Sequence, residues 1–84
     1  MSYPKFDRPF ILDTDASDVR IGAVLSQISD DGLERVIAFG SRTLSKPERK
    51  YSVTRKEMLS VVYFCNHFRH YLLGRKFTIR TDHM

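Results

Sequence analysis

Three acidic residues, Asp15, Glu57 and Asp82, lie where the sequence pattern predicts the ends of strands or the start of a helix. Carboxylates that are held close together repel one another unless a cation lies between them. Oxygen ligands of this kind suit Mg²⁺ or Mn²⁺, and two such ions roughly 4 Å apart activate water for phosphodiester hydrolysis. The three residues are therefore candidate metal ligands of a hydrolytic site.

Each of these acidic residues also has a purely structural interpretation. Residues 54–57 read Thr-Arg-Lys-Glu, the T-x-x-E pattern of a capping box, and spacing alone favours that role for Glu57. Asp15 and Asp18 fit a turn in which their side chains accept backbone N–H groups, and Asp82 fits the N-cap of a following helix. The spacing of the residues leaves both interpretations open.

Lys50, Arg55 and Lys56 form a basic group at the predicted start of the helix. Charged residues at such a place usually form a solvated surface. The alternative is that they contact the phosphates of a nucleic acid, since phosphate contacts by lysine and arginine dominate nucleic-acid affinity.

The histidines and the single cysteine carry less functional information. His67 and His70 are three residues apart, but no further ligand is spaced to complete a metal site with them or with His83. We expect all three histidines on the surface. Cys65 falls on the apolar stripe of the helix, which predicts burial in the core.

Periodicity predicts an α/β fold with four strands and one long helix. The predicted strands cover residues 10–15, 21–28, 34–42 and 76–82, and the helix covers about 54–73, with Gly74 as its stop signal. The first three strands are expected to form an antiparallel meander. Residues 1–9 are predicted to be an extended lead-in, and residues 46–50 a polar break.

The first strand explains how acidic residues reach one side of the sheet. Alternation places Phe10, Leu12 and Thr14 on one face, and Asp13 and Asp15 on the other. If the fourth strand lies parallel beside the first, Asp15 and Asp82 reach the same edge. A helix that runs back between them then brings Glu57 toward both aspartates.

Length and composition limit the protein class. The 84 residues suffice for one domain, and 42% hydrophobic with 29% charged residues is typical of a folded protein of limited stability. The net charge of +4 weakly favours a polyanionic partner.

The cellular compartment is predicted from the cysteine count and from targeting signals. One cysteine excludes an intramolecular disulfide, and the sequence shows neither a signal peptide nor a membrane-spanning run. We therefore expect an intracellular protein, in cytoplasm or nucleus.

Several short motifs occur in the order and at the spacing of one known family. They are Tyr3-Pro4 with Pro9-Phe10, Thr14-Asp15-Ala16-Ser17-Asp18, residues 21–27, Ser41-Arg42-Thr43-Leu44-Ser45, Glu57-Met58-Leu59, His67-Phe68-Arg69 and Arg80-Thr81-Asp82-His83. Through these motifs, the chain resembles the ribonuclease H domain of gypsy-type LTR retrotransposon reverse transcriptases over nearly its whole length.

The resemblance implies a ribonuclease H-like fold that hydrolyses the RNA strand of RNA–DNA hybrids with Mg²⁺ or Mn²⁺. By position in the motifs, Asp15, Glu57 and Asp82 match the family's metal ligands of the first strand, first helix and fourth strand. Asp13 and Asp18 match no catalytic position.

In the family, the region after the part that matches this chain contains later helices, a fifth strand and a fourth catalytic aspartate. The expectation is therefore a single truncated ribonuclease H-like domain at residues 1–84, with weak metal binding and slow or absent cleavage. The alternative is a non-catalytic binding or scaffold module derived from a retroelement. An open edge on the fourth strand also predicts a homo-oligomer.

Overall fold

A four-stranded mixed sheet forms the framework of residues 8–81, the part of the chain that the computed structural model describes. The elements in chain order are β1 (Phe10–Ala16), β2 (Arg20–Ile28), β3 (Glu34–Thr43), α1 (Lys46–Arg49), α2 (Val53–His67), α3 (Arg69–Leu72) and β4 (Phe77–Thr81). The strand order is β3-β2-β1-β4, with β1 antiparallel to β2, β2 antiparallel to β3, and β1 parallel to β4. The predicted meander and fourth strand are thus confirmed.

The alternation in β1 decides which face of the sheet is covered. Phe10, Leu12 and Thr14 are buried, whereas Asp15 is exposed and Asp13 is partly exposed. Helix α2 packs on β1 and β2, so the buried face is the one toward the helix. The carboxylates of β1 therefore lie on the face that α2 leaves open, opposite the buried side chains as the alternation predicted.

The core lies between this sheet and α2. Its fully buried large side chains are Phe10, Leu12, Ile21, Leu25, Leu44 and Phe64. Gly40 on β3 makes the close approach of the helix possible, because a Cβ atom there would lie 3.2 Å from Cε1 of Phe64. This packing fixes the helix against the strands that carry the candidate site.

The predicted long helix is divided into two. Phe68 has φ −99° and ψ 18°, which is not helical, and separates α2 from α3. Its side chain is nonetheless buried in the core. Gly74 adopts a positive φ of 72°, so the predicted stop after the helical segment is confirmed.

The predicted polar break at residues 46–50 was wrong, because residues 46–49 form the short helix α1. Ser45 and Glu48 cap it reciprocally as a capping box, with Pro47 in its first turn. The backbone N–H of Ser45, together with Arg42, holds the pKa of Glu48 below its usual value. The S-x-x-E pattern with an early proline was the signal for this helix.

Of the predicted lead-in, only Arg8 and Pro9 are described, and neither belongs to a strand or helix. Residues 1–7 and Asp82 lie outside the described residues. In residues 8–81, no helix has the length and apolar character needed to cross a membrane.

Candidate metal centre

The ends of β1 and β4 meet at one edge of the sheet. The two strands are parallel neighbours, and Thr14 pairs with Thr81, the last residue of β4. Asp15 follows Thr14 on β1, exposed to solvent. Asp82 follows Thr81 in the sequence but lies outside the described residues. The predicted pairing of these strands is confirmed.

Glu57 is not the capping residue that its spacing suggested. The N-cap of α2 is Ser52, whose hydroxyl accepts the backbone N–H of Arg55 at 3.2 Å. Because the helix begins at Val53, Glu57 lies in its second turn, beyond the capping positions. The capping-box interpretation of residues 54–57 was therefore wrong.

Glu57 and Asp15 line two separate concavities, and the end of β4 lines both of them. Glu57 and Thr81 line one, of about 230 Å³, with apolar α2 residues. Asp15 and Thr81 line the other, of about 670 Å³, on the open face of the sheet. The end of β4 is common to both, so the two candidate ligands flank the residue that precedes Asp82.

Residues 8–81 contain no group of three or more acidic, histidine or cysteine side chains that could hold a metal ion. The structure thus describes two of the three predicted ligands, Asp15 and Glu57, and leaves the third outside its range. The donors that Asp15 and Glu57 offer are carboxylate oxygens. Such a donor set fits a hard divalent cation.

Asp13 shares a face with Asp15 but is engaged differently. Its two carboxylate oxygens accept hydrogen bonds of 2.7 Å from Nε and Nη2 of Arg80, its partner on β4. Arg80 also donates to both oxygens of Glu34 at 3.0 Å. These carboxylates hold the pKa of Arg80 above its usual value. Asp13 is therefore a structural ion-pair partner, in agreement with its lack of a catalytic match.

The contact between Arg80 and Glu34 reveals the shape of the sheet. Glu34 begins β3, which is separated from β4 by two strands. A hydrogen bond across that width requires the sheet to curl toward its open face. A β-bulge between Leu25 and Ser26 is the kind of irregularity that produces such bending.

The three predicted phosphate contacts differ in their surroundings. Lys50 is exposed, and the guanidinium of Arg55 lies 4.0 Å from the centre of the Tyr51 ring. Lys56 is only 8% exposed, and its Nζ donates to the backbone carbonyl of Asp18 at 3.3 Å. This burial argues against Lys56 as a phosphate contact. For Lys50 and Arg55 the role stays a prediction.

Two of the three histidines lie on the surface as predicted, whereas Cys65, which was predicted to be buried in the core, is only partly buried. His67 and His70 are exposed, and His67 stacks on Tyr63 with 5.9 Å between ring centroids. Cys65 is partly buried against the core, and this burial raises the pKa of its thiol. His83 lies outside the described residues.

Residues 5–84 match the family model of the RNase H-like domain found in reverse transcriptase. The chain is 47% identical over 83 residues to the retrovirus-related Pol polyprotein from transposon 297 of Drosophila melanogaster, covering 99% of this chain and 7% of that protein. It is 45% identical over 80 residues to the transposon Tf2-3 polyprotein of Schizosaccharomyces pombe, covering 93% of this chain and 6% of that protein. The chain therefore spans less than a tenth of these relatives' length.

Solved structures support the same fold. The foamy viral protease-reverse transcriptase in complex with dsDNA is similar, with a TM-score of 0.82, 15% identity, and 96% of this chain and 16% of that chain covered. The complex of that enzyme with an RNA/DNA hybrid has a TM-score of 0.71 at 15% identity, covering 93% of this chain and 10% of that one. Together with the sequence match, these similarities establish that the chain belongs to the family of RNase H-like domains found in reverse transcriptases.

Proposed function

We propose that this chain supplies the metal-binding part of a ribonuclease H centre that hydrolyses the RNA strand of RNA–DNA hybrids. Asp15, Glu57 and Asp82 are the proposed ligands of Mg²⁺ or Mn²⁺. The observation that carries the proposal is that Asp15 and Glu57 line two concavities that share Thr81, the residue before Asp82. The observed N-cap at Ser52 also removes the capping explanation for Glu57.

The proposed roles follow from the position of each side chain. Asp15 is exposed on an open groove, where a phosphodiester has room to approach. A bound divalent ion supplies an activated water and stabilises the leaving oxygen. Lys50 and Arg55, near the start of α2, are proposed to contact the phosphates of the hybrid. Arg55 is already oriented by its stacking on Tyr51.

The proposed partner is an RNA–DNA hybrid, which is also the ligand in one of the similar foamy viral structures. An origin in a gypsy-type element and an intracellular location are likewise proposals, based on the order of the sequence motifs.

The proposed unit is a single ribonuclease H-like domain over residues 1–84. Because the resemblance implies a fourth catalytic aspartate in the family, we expect these 84 residues alone to bind metal weakly and to cleave slowly.

A hybrid-cleavage assay tests this function. The chain is incubated with a hybrid whose RNA strand is labelled, in Mg²⁺ or Mn²⁺, beside an Asp15→Asn variant. We expect slow, metal-dependent cleavage that Asp15→Asn abolishes, because the substitution removes a negatively charged ligand. Asp18→Asn is the matched control, since Asp18 is exposed in the turn after β1 and should leave the rate unchanged.

Equal residual cleavage by the wild-type chain and Asp15→Asn would assign the activity to a contaminant. No cleavage by the wild-type chain, with metal binding retained, would favour the alternative of a non-catalytic module.

The edge of β4 supports a proposal about assembly. Within residues 8–81, β4 pairs only with β1, and Phe77 and Ile79 on it are 38% and 40% exposed. An apolar strand with a free edge is a template for pairing with a second chain. We expect a homodimer or higher oligomer of the 84 residues through β4.

Sedimentation across a concentration series measures this assembly. Ile79→Lys should shift the chain toward the monomer, whereas Leu33→Lys, at an exposed position beside the β2–β3 turn, should not. A compact monomer at the highest concentration would contradict the proposed assembly.

A further inference from the structure

We propose that Lys56 is a positioning residue that ties α2 to the β1–β2 turn and so holds Asp15 in place for metal binding. The inference rests on the proposed function, since it concerns the geometry of the same metal centre. It assigns to Lys56 a role different from the phosphate contact that its charge suggested.

The β1–β2 turn has little apolar anchoring of its own. The side chains of Ser17, Asp18, Val19 and Arg20 are all exposed. Within the turn, the backbone N–H of Ser17 donates to the carbonyl of Arg20 at 2.8 Å, and the backbone N–H of Arg20 donates to Oγ of Ser17 at 3.2 Å. These bonds define the shape of the turn but do not fix it to the rest of the fold.

Two hydrogen bonds from outside the hairpin reach consecutive carbonyls of the turn. The backbone N–H of Leu44 donates to the carbonyl of Val19 at 2.8 Å. Nζ of Lys56 donates to the carbonyl of Asp18 at 3.3 Å. The second contact comes from the residue that precedes Glu57 and reaches a point three residues after Asp15. Lys56 therefore connects the two segments that carry the described candidate ligands.

The burial of Lys56 is difficult to explain by stability alone. An ammonium group that is removed from water loses hydration, and this loss is compensated only when the group is paired and hydrogen-bonded. Within residues 8–81, the ion pairs that the structure describes do not include Lys56. Even where a buried cation has a charged partner, replacing the pair by apolar side chains of similar volume is often neutral or stabilising. A role in placing the turn accounts for the position better.

Removal of Lys56 has opposite expected effects on metal binding, depending on whether the residue positions the turn or acts only through its charge. If Lys56 acted only through its positive charge, its removal would tighten the binding of a nearby cation. If it holds the turn, its removal loosens Asp15 and weakens binding. Partners that orient a metal ligand typically change metal affinity by about 10–100-fold.

The test measures the affinity of the full 84-residue chain for Mn²⁺ from the electron paramagnetic resonance signal of the free ion. Lys56→Met keeps an unbranched side chain of nearly the same length without its charge, and we expect it to weaken Mn²⁺ binding by about tenfold. Lys56→Arg retains a charged donor and should recover most of the affinity. Leu72→Val, in the core at the far end of the helical layer, controls for a general loss of stability.

Amide hydrogen exchange without metal provides a second, independent measurement. Exchange at Asp18, Val19 and Arg20 should accelerate in Lys56→Met but not in Leu72→Val. The inference would be overturned if these three amides exchanged in Lys56→Met as slowly as in the wild-type chain. It would also be overturned if Lys56→Met bound Mn²⁺ as tightly as the wild-type chain. A wild-type chain that binds no Mn²⁺ would refute the proposed metal centre, whereas the exchange measurement would still decide whether Lys56 holds the turn.

Discussion

Replacing Phe64 by alanine should lower the free energy of unfolding by about 3–5 kcal/mol, the range for removing a buried aromatic ring. Phe64 is fully buried at the centre of the α2–sheet contact, where it stacks on Phe68 with 6.0 Å between ring centroids. An 84-residue domain has a total stability of roughly 4–13 kcal/mol at the usual value per residue. We therefore expect this variant to lose a large share of its stability and to unfold at a clearly lower urea concentration than the wild-type chain.

Urea unfolding followed by far-ultraviolet circular dichroism measures this loss. Val62→Ala is the matched control, since Val62 lies two residues away on the same helix and is 65% exposed. Its stability should change by less than about 0.5 kcal/mol. Similar losses in the two variants would mean that α2 does not pack through Phe64.

Removing two proposed ligands together should abolish the stabilisation by divalent metal. With a dissociation constant of about 2 mM, 10 mM Mg²⁺ or Mn²⁺ stabilises the folded chain by about 1 kcal/mol, because the ion binds only the folded state. For a domain of this size, that corresponds to a rise in Tm of roughly 4–8 °C. The double variant Asp15→Asn, Asp82→Asn should show no rise.

Thermal unfolding with and without metal measures the effect. The double variant Asp18→Asn, Asp30→Asn removes the same number of negative charges from exposed turn positions and should keep the full metal response. An equal response in both double variants would place the bound ion at another site.

The sheet was predictable because its signals are local. One face of β1 is buried, so the alternation of Phe10, Leu12 and Thr14 determined which face Asp15 occupies. The parallel return of β4 beside β1 followed from a helix between two strands of one sheet. The relation between Asp15 and the end of β4 was therefore accessible from the sequence.

The details around α2 were not predictable, because they depend on contacts between distant residues. Ser52 and Thr54 are both acceptable N-caps by residue type, and the helix begins after Ser52. The burial of Lys56 depends on the β1–β2 turn, which lies 38 residues earlier at Asp18. The pairing of Arg80 with Glu34 requires the curl of the sheet. No local pattern contains these contacts.

The position of a bound Mn²⁺ ion tests the proposed metal centre most directly. Crystals of the chain grown with Mn²⁺ would locate the ion by its anomalous scattering. We expect a peak within about 2.2 Å of carboxylate oxygens of Asp15 and Glu57, at the edge where β1 and β4 end. A peak only at the ion pair of Asp13 and Arg80, at the exposed histidines, or at no ordered site would contradict the assignment of these residues as metal ligands.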